Sequence, residues 1–252
     1  MAITVFERHE KKFLVDETKM YLMLPVIMNH MVADKHCRNG RTYPICNLYF
    51  DTENYDVIRN SLKKPFYKEK FRMRSYGFPE DGDSQVFLEL KKKINGVVTK
   101  RRAILTYRQA VYFVNGGRIP EEATYMTRQV LREIRYYLSH HDVAPTMLIS
   151  YDRTAFFDKE QWDFRLTFDQ NLRFYHGGDG LEKRDKGRLL LPSHMRVMEV
   201  KVKDAYPLWF TDLLGREKIY QTSFSKYGVA YKSFLKEHVI EDPDRYSILS
   251  SI

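Results

Sequence analysis

The stretch YKEKFRMRSYG, residues 67–77, places basic residues at alternate positions: Lys68, Lys70, Arg72 and Arg74. A β-strand turns successive side chains to opposite faces. The four cations therefore share one face, and Glu69, Phe71 and Met73 share the other. Like charges side by side on a strand repel. Such a face needs an anion opposite it, and a row of phosphates is the candidate.

The same alternation recurs along the chain. Strands are predicted at about 3–14, 44–51, 66–76, 85–94, 97–106, 147–157, 162–169 and 194–203. Asn95-Gly96 joins the fourth to the fifth as a hairpin turn, and 158–161 turns the sixth into the seventh. Helices are expected over 17–32 (capped by Asp16, kinked or restarted at Pro25), 53–62 (capped by Thr52), 107–115 (capped by Thr106), 121–140, 205–214 (capped by Asp204) and near 225–237. Residues 176–194 read as a Gly- and charge-rich loop. Eight strands with hairpins and few long crossovers predict an α+β fold: an eight-stranded antiparallel sheet closed into a barrel, with helices packed around it.

Every predicted strand has an apolar and a polar face. Glu89, Lys91 and Lys93 oppose Val86, Leu88 and Leu90; Arg165 and Asp169 oppose Phe164, Leu166 and Phe168; Glu199 and Lys201 oppose Met198, Val200 and Val202. A half-solvated sheet gives the same pattern, but a solvent face mixes signs, whereas these are mostly Lys and Arg. The alternative puts the apolar faces under the helices and the charged faces around a tunnel, where water and a bound polyanion compensate the desolvated cations.

The bulk numbers agree with an anionic partner. The chain has 252 residues, 43% of them hydrophobic, and a net charge of +9. This affords a core, argues against global disorder and points to nucleic acid, acidic lipid or polyanionic small molecules. The start MAITVFERHEKK does not read as a signal peptide, no apolar run approaches a membrane span, and Cys37 and Cys46 form no disulfide framework. A cytoplasmic location without membrane insertion is the expectation. His140-His141 falls at a helix end, where a cation is favourable. HGGDG at 176–180 lacks the Gly-Lys-Ser/Thr helix of a phosphate loop.

Nine ordered blocks carry a family resemblance: RHEKKF at 8–13, NLYFDT at 47–52, KEKFRMRSYG at 68–77, FLELKKK at 87–93, TKRRA at 99–103, YDRTAF at 151–156, FRLTFD at 164–169, MEVKV at 198–202 and FSKYG at 224–228. Together they resemble the VTC domain, the polyphosphate polymerase module of the triphosphate tunnel metalloenzyme (CYTH-like) superfamily, over about Phe6 to Tyr231. The resemblance implies one domain spanning 1–252, with a tail from about 239, and an eight-stranded tunnel. It implies transfer of the ATP γ-phosphate to a growing polyphosphate chain with Mn²⁺ or Mg²⁺. By motif position, Lys12, Arg72, Arg74, Lys91, Arg153, Arg165 and Lys226 are the expected catalytic cations. Lys100, Arg102 and Ser225 are expected to bind phosphate, joined by Lys70 and Lys201 (and Lys68) on the same faces. Glu199 is the expected metal carboxylate. The partners implied are ATP and inorganic polyphosphate or pyrophosphate; oligomeric state stays open. The SPX domain and membrane spans of eukaryotic members are not expected here.

Three rivals remain at this point. A CYTH-type triphosphatase typically begins Glu-x-Glu-x-Lys, where this chain has Arg8, Glu10 and Lys12, and Glu199 is followed by Lys201 rather than a second carboxylate. Fewer carboxylates weaken two-metal binding and favour the polymerase. A nucleic-acid module suits the net charge, but no recognition helix, RNP-type block or zinc spacing accompanies it, and nucleic acid is not expected. A polyphosphate-binding domain without catalysis would use the same residues.

Overall fold

A computed structural model describes residues 9–95, 97–160, 163–177, 180–182 and 187–241. The expected strand start at 3–8, Gly96 of the hairpin turn, Gln161, Trp162 at the start of the expected seventh strand, parts of the 176–194 loop (178–179 and 183–186) and the tail beyond 241 lie outside the described residues.

In chain order the elements are β1 (His9–Asp16), α1 (Glu17–His30), β2 (Met31–Ala33), a 3-10 helix (Lys35–Gly40), β3 (Tyr43–Asp51), α2 (Asp56–Leu62), β4 (Tyr67–Ser75), β5 (Gln85–Ile94) and β6 (Val97–Thr106). There follow α3 (Tyr107–Val114), α4 (Tyr125–His140), β7 (Ala144–Asp158), β8 (Arg165–His176), β9 (Arg188–Leu189), β10 (Met195–Val202), α5 (Leu208–Arg216), β11 (Gln221–Thr222) and α6 (Lys226–Glu241).

The fold is α+β, as expected, but the sheet differs. Among the described residues its eleven strands follow the order β11-β1-β10-β8-β7-β3-β4-β5-β6, with β2 on β7 and β9 on β8. Among the described residues no ladder joins β6 to β11, so the expected closed eight-stranded barrel is corrected to an open hydrogen-bonded path. The additional strands β2, β9 and β11 have three, two and two residues, too few for an alternation to register. Alternation reports which face is apolar, not which edges pair.

The chain packs as two compact units. One comprises Met1–Pro44, Ser150–Arg173 and Leu189–Ser225. In it β1 pairs antiparallel with β10 and β11, and β10 with β8. The apolar faces of these strands (Phe13, Leu166, Phe168, Met198) form a core with Ile27 of α1 and Phe210 of α5. Asp16 caps α1, accepting from the Lys19 N–H at 2.8 Å. Pro25 lies inside α1 without ending it, so of the expected kink or restart the restart does not occur. Only one backbone donor is lost at a proline, and Met23 and Ile27 on either side are fully buried. α5 begins after Pro207, not at Asp204; the fixed proline φ suits a helix start.

The other unit comprises Ile45–Ile149, Phe174–Arg188 and Lys226–Ile252. Here β3, β4, β5 and β6 pair antiparallel in sequence order. Their apolar face (Leu48, Phe71, Leu88, Ala103) packs under Phe113 of α3 and Leu131 and Ile134 of α4. A capping box starts α3, with Thr106 and Gln109 each bonding the other's backbone N–H. α2 starts later than expected, at Asp56. The Asp51 carboxylate takes the N–H groups of Thr52, Val57 and Ile58 at 2.9, 2.8 and 3.0 Å, and Tyr55 turns the chain with φ 58°. No helix among the described residues is long and apolar enough to cross a membrane.

Candidate functional site

In the Ile45–Ile149 unit, ladder register stacks the basic positions in rows. Lys70, Lys91 and Lys100 lie opposite one another across β4, β5 and β6, and the next row is Arg72, Glu89 and Arg102. Arg74 lies opposite Asn47 of β3, and its Nε donates to the Asn47 Oδ1 at 2.7 Å. Asn47 is itself buried and donates to the Ile149 carbonyl at 3.3 Å, which holds Arg74 in place.

Glu89 sits at the centre of these charges, 1% exposed. Arg72 meets its Oε2 with Nε at 2.8 Å and Nη2 at 2.6 Å. Arg102 Nε donates to Oε1 at 2.7 Å, its Nη2 pairs with the same oxygen, and Lys100 Nζ donates there at 3.2 Å. Arg74 Nε lies 3.8 Å from Oε2. Burial alone would raise the Glu89 pKa; Arg72, Arg74, Lys100 and Arg102 outweigh it and hold the carboxyl far below the usual range.

Two tyrosines border this face. Tyr49 accepts from Arg72 Nη1 at 3.1 Å and stacks on Tyr227 at 4.6 Å, and Tyr227 donates to Asp51 Oδ2 at 2.7 Å. Burial pushes the Tyr49 hydroxyl pKa up, but Arg72, Arg74 and Lys226 bring it below its ordinary value. Lys226 is therefore close enough to act on Tyr49; it opens α6 and is 8% exposed. Lys70 Nζ lies 6.0 Å over the Tyr227 ring. Lys68 differs from its row neighbours, because its Nζ donates to the Ser61 carbonyl near the end of α2 at 3.1 Å.

In the Ser150–Arg173 unit, Lys12, Glu199 and Thr167 form one row across β1, β10 and β8, and Glu10, Lys201 and Arg165 the next. Arg153 of β7 grips Asp169 with two bonds of 2.6 and 2.8 Å and reaches Glu199 Oε2 at 3.2 Å. Burial would lower the Arg153 pKa, but Asp169 outweighs it and keeps the guanidinium charged. Lys12 Nζ stands 3.2 Å from Glu10 and 3.9 Å from Glu199, and Lys201 is 3.7 Å from Glu10. Arg165 lies over the Phe157 ring at 4.7 Å. Its Nε and the Thr167 hydroxyl are buried without a hydrogen-bond partner among the described residues, a state a bound anion or water would relieve. Ser225, half-buried, directly precedes α6.

The described residues hold no group of three His, Cys, Asp or Glu able to cage a metal. Glu199 is shared with Lys12 and Arg153, so it would serve a divalent ion as a single carboxylate, the ion keeping its waters and taking oxygens from a bound phosphate. The donor set does not fit an all-protein cage.

No curated protein matches the chain by sequence. The VTC domain family matches residues 7–235. The chain belongs to the VTC domain family. Among solved structures, a Bacillus halodurans protein described as an adenylate cyclase is similar in fold, with TM-score 0.50, 14% identity, and 87% of this chain and 95% of that chain covered. A Vibrio parahaemolyticus protein so described gives TM-score 0.45, 10% identity, and 89% and 98% coverage. The likeness to the Bacillus halodurans protein is one of fold, and the family assignment rests on the match over residues 7–235.

Sequence reasoning did not assign several residues that this VTC domain gathers at its basic faces: Glu89, Asn47, Tyr49, Thr167, Asp169 and Tyr227. The positions of all but Tyr227, which lies in α6, on polar strand faces were readable. Their partners depend on cross-strand register, which a single strand does not encode.

Proposed function

We propose that this VTC domain is a polyphosphate polymerase that transfers the γ-phosphate of ATP to a growing inorganic polyphosphate chain. One observation supports this over two-metal triphosphate hydrolysis. The carboxylates on the Lys12 face are already engaged by cations: Glu10 by Lys12 and Lys201, and Glu199 by Arg153 and Lys12. Few oxygens remain for a second metal, while the surrounding Lys and Arg suit a long polyanion.

In this reading Arg72, Arg74, Arg102, Arg153 and Arg165 present guanidinium forks to non-bridging phosphate oxygens, and Lys12, Lys70, Lys91, Lys100, Lys201 and Lys226 supply point charges. Ser225 and Thr167 offer hydroxyls. Glu199 would hold Mn²⁺ or Mg²⁺, which when bound neutralises charge on the phosphate oxygens. A terminal phosphate oxygen of the acceptor forms the new bond to Pγ, the bond from Pγ to the β–γ bridging oxygen breaks, and ADP leaves with that oxygen. The protein supplies position and charge, with no protein nucleophile.

The test is purified protein with ATP and Mn²⁺, scored for chain growth on a gel. Polymer that lengthens with time is expected. Free phosphate alone would replace the polymerase with a tunnel-type triphosphatase or polyphosphatase. Tight polyphosphate binding with neither product would leave a binding domain.

A further inference from the structure

We infer that Glu89 is a positioning residue: an internal anion that aims the guanidiniums of Arg72 and Arg102 so that phosphate meets pre-oriented donors. The inference deepens the proposed function and rests on its assignment of this face to phosphate.

The arrangement is specific in charge and in shape. Among the described residues, this face of β4 carries four basic side chains and that of β5 and β6 two each, and across these three strands the one carboxylate among them is Glu89. A carboxylate placed merely to dilute repulsion would do so from a solvated edge. Glu89 instead is 1% exposed and divides its two oxygens. Oε2 takes Arg72 side-on through Nε and Nη2, while Oε1 takes Arg102 through the same pair of nitrogens and Lys100 as well. Each guanidinium is planar and rigid, so fixing that edge fixes where the remaining donors point. A second contact steadies each fork. Arg72 Nη1 donates to the Tyr49 hydroxyl at 3.1 Å, and the Arg102 guanidinium lies 4.6 Å over the Phe87 ring.

Burial of a carboxylate costs free energy unless it is fully compensated, and a polyanion-binding face is where a negative charge most opposes the ligand. Charge alone therefore predicts that removing Glu89 tightens anion binding. Positioning predicts the reverse, because two arginines and a lysine regain rotamer freedom that binding must then remove. The two accounts differ in sign.

The experiment is calorimetric titration of inorganic tripolyphosphate, without metal, into wild type and Glu89→Gln, with melting curves on both. Positioning predicts that Glu89→Gln binds about tenfold more weakly despite the loss of a negative charge. Equal or tighter binding would overturn it. Should Glu89→Gln not fold, Glu89→Asp keeps the charge but withdraws it by one methylene. Positioning then predicts weaker binding for the aspartate variant, and affinity equal to wild type overturns it. The readout needs no turnover, so it stands apart from whether the wild type polymerises or hydrolyses. A wild type that fails to bind tripolyphosphate would remove the functional reading itself.

Discussion

Lys100 shows how the local field sets what a single residue does. Its pKa is lowered from 10.5 to about 8. Burial does most of this, Glu89 opposes it, and Arg102 and Arg72 add to it. A phosphate bound beside Lys100 would favour the charged form. Binding near pH 8 should therefore take up a proton, and affinity should fall as pH rises through about 8. Stability of the free protein moves the other way. Between about 8 and 10.5 the unfolded chain holds a proton that the folded chain lacks, so stability rises with pH there. Solvent reaches 41% of the side chain, so the effect belongs mainly to ligand binding. Tripolyphosphate titrations in two buffers of different ionisation enthalpy measure the proton. Uptake should disappear in Lys100→Arg, which stays charged; no uptake in wild type would contradict the assignment. At this scale the sequence was partly legible. Alternate positions identified Lys70, Arg72, Lys91, Lys100 and Arg102 as face-mates, but the central place of Glu89 emerged only once three strands were aligned.

At the scale of elements, legibility followed length and local chemistry. β5 and β6 fall where alternation put them, at 85–94 and 97–106. β7 and β8 run longer than expected, because Ala144, Pro145 and the polar run after Asp169 do not advertise strand, yet pairing carries the backbone through them. α2 starts three residues later than expected because Asp51, a residue of the preceding strand, takes the Val57 and Ile58 N–H groups, while the expected cap Thr52 takes that of Asp56. Thr106 is the opposite case, a cap readable from its sequence and present as a complete box. Thr106→Ala removes the acceptor for the Gln109 N–H and should cost about 1 kcal/mol, lowering the melting temperature by about 2–4 °C. A thermal melt unchanged within error would mean that tertiary packing alone holds α3.

For the whole molecule, a net charge of +9 was legible from composition, and strand pairing gathers much of it into rows of Lys and Arg. Each compact unit buries its apolar strand face under helices and leaves a polar face dense in cations. Eleven strands and an open ladder path were not legible, since they depend on two- and three-residue strands and on which edges meet. The central claim is that these faces exist to hold a chain of phosphates. Melting curves with long-chain inorganic polyphosphate test it most directly, with a single-stranded oligonucleotide at equal phosphate concentration as the comparison. A ligand that binds only the folded state adds about 2.7 kcal/mol at a hundred times its dissociation constant. The account predicts that polyphosphate raises the melting temperature with concentration and does so well below the oligonucleotide concentration needed for the same shift. No shift at any polyphosphate concentration, or a stronger one from the oligonucleotide, would contradict it.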